Sequence, residues 1–166
     1  MSRGARVYAE IIGFGMSADA SHLIQPSADG AARAMEAALA DARVSPDAID
    51  YINAHGTGTT SNDATEATAI RRVFGELADR LPISSTKSMH GHTLGAAGGL
   101  ESVALSLTIS TGMLPPTANF TAADPDCNLD VIPNTARAAV VRVGLSNSFA
   151  FGGLNAVVVF RRYDAN

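Results

Sequence analysis

The sequence predicts an α/β fold built on one mixed sheet. Short runs of β-forming residues alternate three times with runs at helical spacing, the pattern of strands joined by crossover helices. Two more strands then follow with only a glycine-rich connector between them, which demands an antiparallel pair. The sheet is therefore expected to be parallel where helices cross over and antiparallel at the closing hairpin.

Each element has its own signal. Residues 7–14 are apolar and rich in β-formers, a buried strand expected to end at Gly13 and Gly15. Residues 17–28 are polar, contain Pro26 and read as a loop. From Asp29 to Arg43 the residues Ala32, Met35, Ala38, Leu39 and Ala42 recur at helical spacing. Ser45-Pro46-Asp47 marks a turn or a new helix start. Ile49–Ala54 is a second strand, and Asn62 or Asp63 is a candidate cap for a helix with Ala67, Ile70 and Phe74 on its apolar face.

A third brief strand spans Ile83–Thr86, and a small-residue helix runs from about Leu94 to Ser110, stopped by Gly112 and Pro115-Pro116. Residues 115–136, with several Asp, Asn and Pro, read as irregular. Ala139–Leu145 and Ala156–Arg161 close the pattern, joined by a tight turn within Ser146–Asn155.

Composition narrows the function. The 166 residues fit one domain, and 46% hydrophobic against 17% charged leaves little polar surface to coat it. That balance suits a subunit or half-domain that buries surface against a partner. The net charge of −4 and the lack of a Lys/Arg run speak against nucleic acid as a partner. No apolar run approaches the roughly 20 residues of a membrane span, and no apolar segment follows the basic N-terminus as a secretory signal would require. One cysteine, Cys127, cannot form an internal disulfide, which suits a reducing cytoplasm, the expected location.

Two strand-to-helix corners carry the candidate chemistry: Asn53-Ala54-His55-Gly56-Thr57-Gly58-Thr59, and Ser84-Ser85-Thr86-Lys87-Ser88-Met89-His90-Gly91-His92 leading into Gly95-Ala96-Ala97-Gly98. In open α/β sheets ligands gather at the carboxyl ends of strands, so both corners belong at that edge. A glycine beside a histidine lets substrate approach the backbone, and a neutral imidazole can donate to a developing oxyanion or shuttle a proton. Thr57 and Thr59 offer hydroxyls to a polar ligand.

Competing readings are weaker. Gly91, Gly95 and Gly98 open a helix as a phosphate cradle would, but with the wrong spacing for a dinucleotide fingerprint and without Gly-Lys-Ser/Thr. His90 and His92 lack the paired carboxylate or thiol of a metal site, so no metal is expected. Cys127 lies between acids in Asp124-Pro125-Asp126-Cys127-Asn128, which suppress its thiolate, and reads as a loop residue rather than a nucleophile.

Together with Leu114-Pro115-Pro116-Thr117-x-Asn119, Asn147-Ser-Phe149-x-Phe151-Gly-Gly-x-Asn155 and Tyr8-Ala-Glu-x-x-Gly13-Phe-Gly-Met-Ser-x-Asp19-Ala, these corners resemble the elongating β-ketoacyl-(acyl carrier protein) synthases, type II, over essentially the whole chain. The resemblance implies the thiolase-like fold, with residues 1–166 forming the C-terminal αβα half of its five-layered αβαβα architecture. The half bearing the nucleophilic cysteine is absent from this sequence. The implied reaction is the decarboxylative Claisen condensation of malonyl carrier with an acyl thioester in fatty acid biosynthesis. A polyketide ketosynthase half or a non-catalytic partner of the chain-length-factor kind is the alternative.

The same resemblance assigns roles. His55 and His92 match the pair that binds the thioester carbonyl and stabilises the enolate, and Lys87 matches a lysine that holds the second histidine. Thr57 and Thr59 match hydroxyls on the pantetheine arm, Phe149 and Phe151 flank the acyl entrance with Phe151 as its gate, and Glu101 matches a buried structural acid. Ala150 stands where the family usually has glycine. No cofactor is implied beyond the phosphopantetheine of the substrate carrier. The implied partners are acyl carrier protein, a cysteine-bearing half or second synthase chain, and a second copy of the complete enzyme in a homodimer.

Overall fold

A computed structural model describes residues 3–164. A five-stranded mixed sheet is sandwiched between helices. The strands are β1 (Glu10–Ala18), β2 (Tyr51–Asn53), β3 (Ile83–Ser84), β6 (Val143–Ala150) and β7 (Leu154–Arg161), in the order β1-β7-β6-β2-β3. A separate two-stranded ribbon is formed by β4 (Met113–Leu114) and β5 (Arg137–Ala138). Strand β2 runs parallel to its neighbours β3 and β6, whereas β7 is antiparallel to both β6 and β1.

The helices are α1 (Ala28–Ala42), α2 (Thr60–Phe74), the single turn α3 (Lys87–His90) and α4 (Ala97–Thr111). α1 and α2 cover one face of the sheet, over a core that includes Met35, Ile52, Ile70 and Val157. α4 covers the other, over Tyr51, Leu105, Ile109 and Phe160. This is the αβα sandwich expected of one thiolase half. Among the described residues no helix is long and apolar enough to cross a membrane.

Several boundaries depart from the sequence reading. β1 does not stop at Gly13 but runs through Gly13 and Gly15 to Ala18. The glycines are there for packing: a Cβ on Gly15 would lie 2.2 Å from the Ala34 carbonyl oxygen, and one on Gly13 would lie 2.5 Å from Ala42 Cβ. Thr59, rather than Asn62 or Asp63, caps α2, its hydroxyl accepting the Asn62 N–H. The segment 146–155 is mostly strand: β6 and β7 run to Ala150 and from Leu154, so the turn is only Phe151-Gly152-Gly153. Residues 139–142, expected as strand, lie outside it, and the first β6 N–H, that of Val143, is accepted by the Asp50 carboxylate. α4 begins at Ala97, after a 3₁₀ turn at Leu94–Ala96.

Candidate active site

The parallel pairing of β2 with β3 delivers both histidine corners to one edge. Ala54 N–H donates to the Ser84 carbonyl at 2.9 Å, and the Ser85 hydroxyl donates to the Gly56 carbonyl at 2.5 Å, pinning one corner to the other. Gly56 is required twice over: its φ is +38°, and a Cβ would lie 2.5 Å from Ser85 Cβ.

The result is a histidine pair. The rings of His55 and His92 meet edge to face, with centroids 5.6 Å apart and planes at 86°. Phe149, on β6, packs against His55 at 5.5 Å. His55 is 7% exposed and its Nδ1 is buried without a hydrogen-bond partner. Burial pulls its pKa down to about 3, with the charges of Lys87 and His92 adding to the effect, so the ring is neutral at physiological pH. His92 is exposed, and its Nδ1 accepts the Leu94 N–H at 3.3 Å, which leaves Nε2 to carry the proton of the neutral ring.

Lys87, the first residue of α3, forms a buried ion pair with Glu101 of α4. A direct bond to His92 is not among its contacts, because a buried ammonium requires a counter-charge and α4 brings one within reach. Ser148 adds a hydroxyl bond to Glu101 at 3.4 Å.

Glu66 escaped the sequence reading, and Asn147 entered it only as a motif residue without a role. Glu66 of α2 is 3% exposed and holds the His55 corner by its backbone. Its Oε1 accepts the His55 N–H at 2.9 Å and its Oε2 accepts the Gly56 N–H at 2.8 Å. Asn147 of β6 donates to the same Oε1 at 2.9 Å. Burial raises the Glu66 pKa, and these donors oppose the rise. The signal was present in the spacing: Asn62, Glu66 and Ile70 are four apart, which places Glu66 on the inward face of its helix.

The remaining candidates are scattered around the pair. The Thr57 and Thr59 hydroxyls bond each other at 2.9 Å, and Thr59 also serves as the α2 cap. Phe151 is 74% exposed at the tip of the β6–β7 hairpin. Cys127 is half-buried in a 3₁₀ turn, its thiol pushed up to about 11 first by burial and then by Asp124, Asp63 and other acids. A cavity of about 630 Å³ has Thr57, Gly58, Lys87, His92, Thr117 and Cys127 in its walls.

This arrangement brings two imidazole rings edge to face, with a buried ion pair behind them. It suits stabilising negative charge on a carbonyl oxygen. Residues 8–121 match the family described as "Beta-ketoacyl synthase, C-terminal domain". The chain belongs to the β-ketoacyl synthase family. Similar proteins include nodulation protein E of Rhizobium sp. (strain N33), 56% identical over 161 residues, and 3-oxoacyl-[acyl-carrier-protein] synthase 2 of Synechocystis sp. (strain ATCC 27184 / PCC 6803 / Kazusa), 47% identical over 165 residues. These alignments cover 97% and 98% of the chain, and the chain spans 40% of the length of each relative. The solved ishigamide ketosynthase/chain length factor superposes with a TM-score of 0.95 at 48% identity, covering 98% of this chain and 40% of that one. The fold is thus the C-terminal half of the thiolase-like ketosynthase architecture.

Proposed function

We propose that the chain works as the C-terminal half of a 3-oxoacyl-[acyl-carrier-protein] synthase that joins malonyl carrier to an acyl thioester in fatty acid biosynthesis. The observation that carries this reading is the edge-to-face pair of His55 and His92 at 5.6 Å, contributed by two different corners. A cysteine on the other half accepts the acyl group from its carrier. Malonyl carrier then loses carbon dioxide, and the electron pair of the broken C–C bond passes to the thioester as an enolate. His92 donates from Nε2 to the enolate oxygen, and neutral His55 supplies the second donor. The carbanion carbon attacks the acyl carbonyl, a C–C bond forms, and the cysteine leaves as thiolate.

Lys87 contributes field rather than contact. Its charge opposes protonation of His55 and keeps that ring a hydrogen-bond donor of the neutral kind. Thr57 and Thr59 line the approach of the phosphopantetheine arm, and Phe149 and Phe151 border the acyl entrance, with Ala150 between them setting how freely the hairpin tip moves. Glu101 supplies the buried counter-charge to the Lys87 ammonium. No bound cofactor is needed, since the carrier brings its own phosphopantetheine.

The name of the Synechocystis relative supports acyl carrier protein as partner, and the ishigamide pairing supports a second synthase-like chain. The 44% identity to the AntDE ketosynthase, solved with a type II PKS acyl-carrier protein, also favours a second reading, a polyketide ketosynthase half, with the same chemistry on a different acyl chain. A non-catalytic partner would have no use for either histidine. The test uses the chain joined to a cysteine-bearing half. His92→Ala and His55→Ala should each slow malonyl-carrier decarboxylation by about 10²-fold, the scale of losing one oxyanion donor. Decarboxylation at the parent rate in either variant would overturn the reading.

A further inference from the structure

The reaction proposed above has no use for His90, yet its ring is held at both nitrogens. Nδ1 lies 2.8 Å from the Gly91 carbonyl oxygen. A carbonyl only accepts, so Nδ1 carries the proton of the neutral ring and donates it there. Nε2 then presents its lone pair to the Thr86 hydroxyl at 3.2 Å.

Thr86 is itself anchored. It is 2% exposed and accepts from Asn53 Nδ2 at 3.3 Å, while the same nitrogen reaches the Glu101 carbonyl at 3.5 Å. A chain of hydrogen bonds therefore runs from Asn53 at the end of β2, through the Thr86 hydroxyl, which also lies 3.4 Å from Asn53 Oδ1, and the His90 ring, to the carbonyl of Gly91. That carbonyl belongs to the peptide that carries His92. Gly91 sits at φ +76° and ψ 174°, and its N–H closes α3 on the Lys87 carbonyl at 2.8 Å. A glycine at positive φ has a wide choice of ψ, and the His90 bond fixes the plane that ψ controls.

We infer that His90 is a positioning residue for His92: its ring ties the Gly91–His92 peptide to the buried Thr86–Asn53 pair and so sets where the His92 imidazole points. This rests on the reading of His92 as an oxyanion donor. His90 touches no reacting atom in this scheme, so its loss should misdirect His92 rather than remove it, at a cost below that of deleting the donor.

The experiment uses the complete synthase and follows two partial reactions, acylation of the cysteine and decarboxylation of malonyl carrier. His90→Ala should slow decarboxylation about tenfold while acylation stays within about twofold. His90→Asn places an amide nitrogen where Nδ1 was and should recover most of the loss, whereas His90→Gln reaches only toward Thr86 and should not. Parent-like decarboxylation in His90→Ala, equal losses in both partial reactions, or an Asn variant no better than the Gln variant would overturn the brace. His92→Ala is the control: if it decarboxylates at the parent rate, the role of His92 falls and the brace falls with it.

Discussion

Lys87 is paired with Glu101, not with either histidine, and the pair is sealed, with side-chain exposures of 4% and 0%. Removing one partner leaves an uncompensated buried charge, which typically costs about 3–5 kcal/mol. Lys87→Met should therefore lower the melting temperature strongly. The double variant Lys87→Met/Glu101→Leu should recover much of that stability but leave His55 without its neighbouring cation. Stability and decarboxylation should then part company. A double variant as unstable as the single one would show that the pair is not the unit argued here.

Glu66 acts on His55 from behind. Glu66→Gln turns an amide group toward N–H donors that it must oppose. One buried N–H loses its acceptor, a cost of about 1–3 kcal/mol. The variant should unfold at lower denaturant concentration, and decarboxylation should fall as the His55 corner loosens. Unchanged midpoint and unchanged turnover together would refute the assignment.

The depressed pKa of His55 has a defined sign. The folded ring resists protonation down to about 3, whereas the unfolded ring takes up a proton near 6.5. The unfolded state thus binds the extra proton as pH falls between those values. The contribution is present above about 6.5 and is lost progressively toward 3. In proton NMR the His55 ring signals should show no titration between pH 8 and pH 5, the ordinary histidine range being centred near 6.5. A midpoint near 6.5 for His55 would contradict the burial argument.

The outer face of α4 exposes Leu100, Val103 and Leu107 at 43%, 59% and 46%. Phe14 and Met16 of β1 are 48% and 57% exposed, and strand alternation puts them on the same side of the sheet as α4. A helix apolar on both faces is built to be covered. The isolated chain should therefore self-associate, as read by light scattering, and Val103→Lys should reduce the mass. A stable monomer at micromolar concentration would count against an extended apolar contact face.

What the sequence alone determined is everything that depends on local period and local sterics. The alternation of helical and strand spacing located the main elements of all three layers, and the glycines beside His55 and His92 marked the two corners. The tertiary structure decided who meets whom. Glu66 finds His55 from eleven residues away and Asn147 from eighty-one, and Lys87 finds Glu101 across the turn into α4. It also decided that Gly13 and Gly15 lie within a strand, because the approach of α1, not the strand itself, requires them bare. An acid on a helix reads from sequence as solvent-facing because burying a charge is costly, and that cost is met only when donors from other elements converge on it. Such convergence is a property of packing, which no spacing along the chain records.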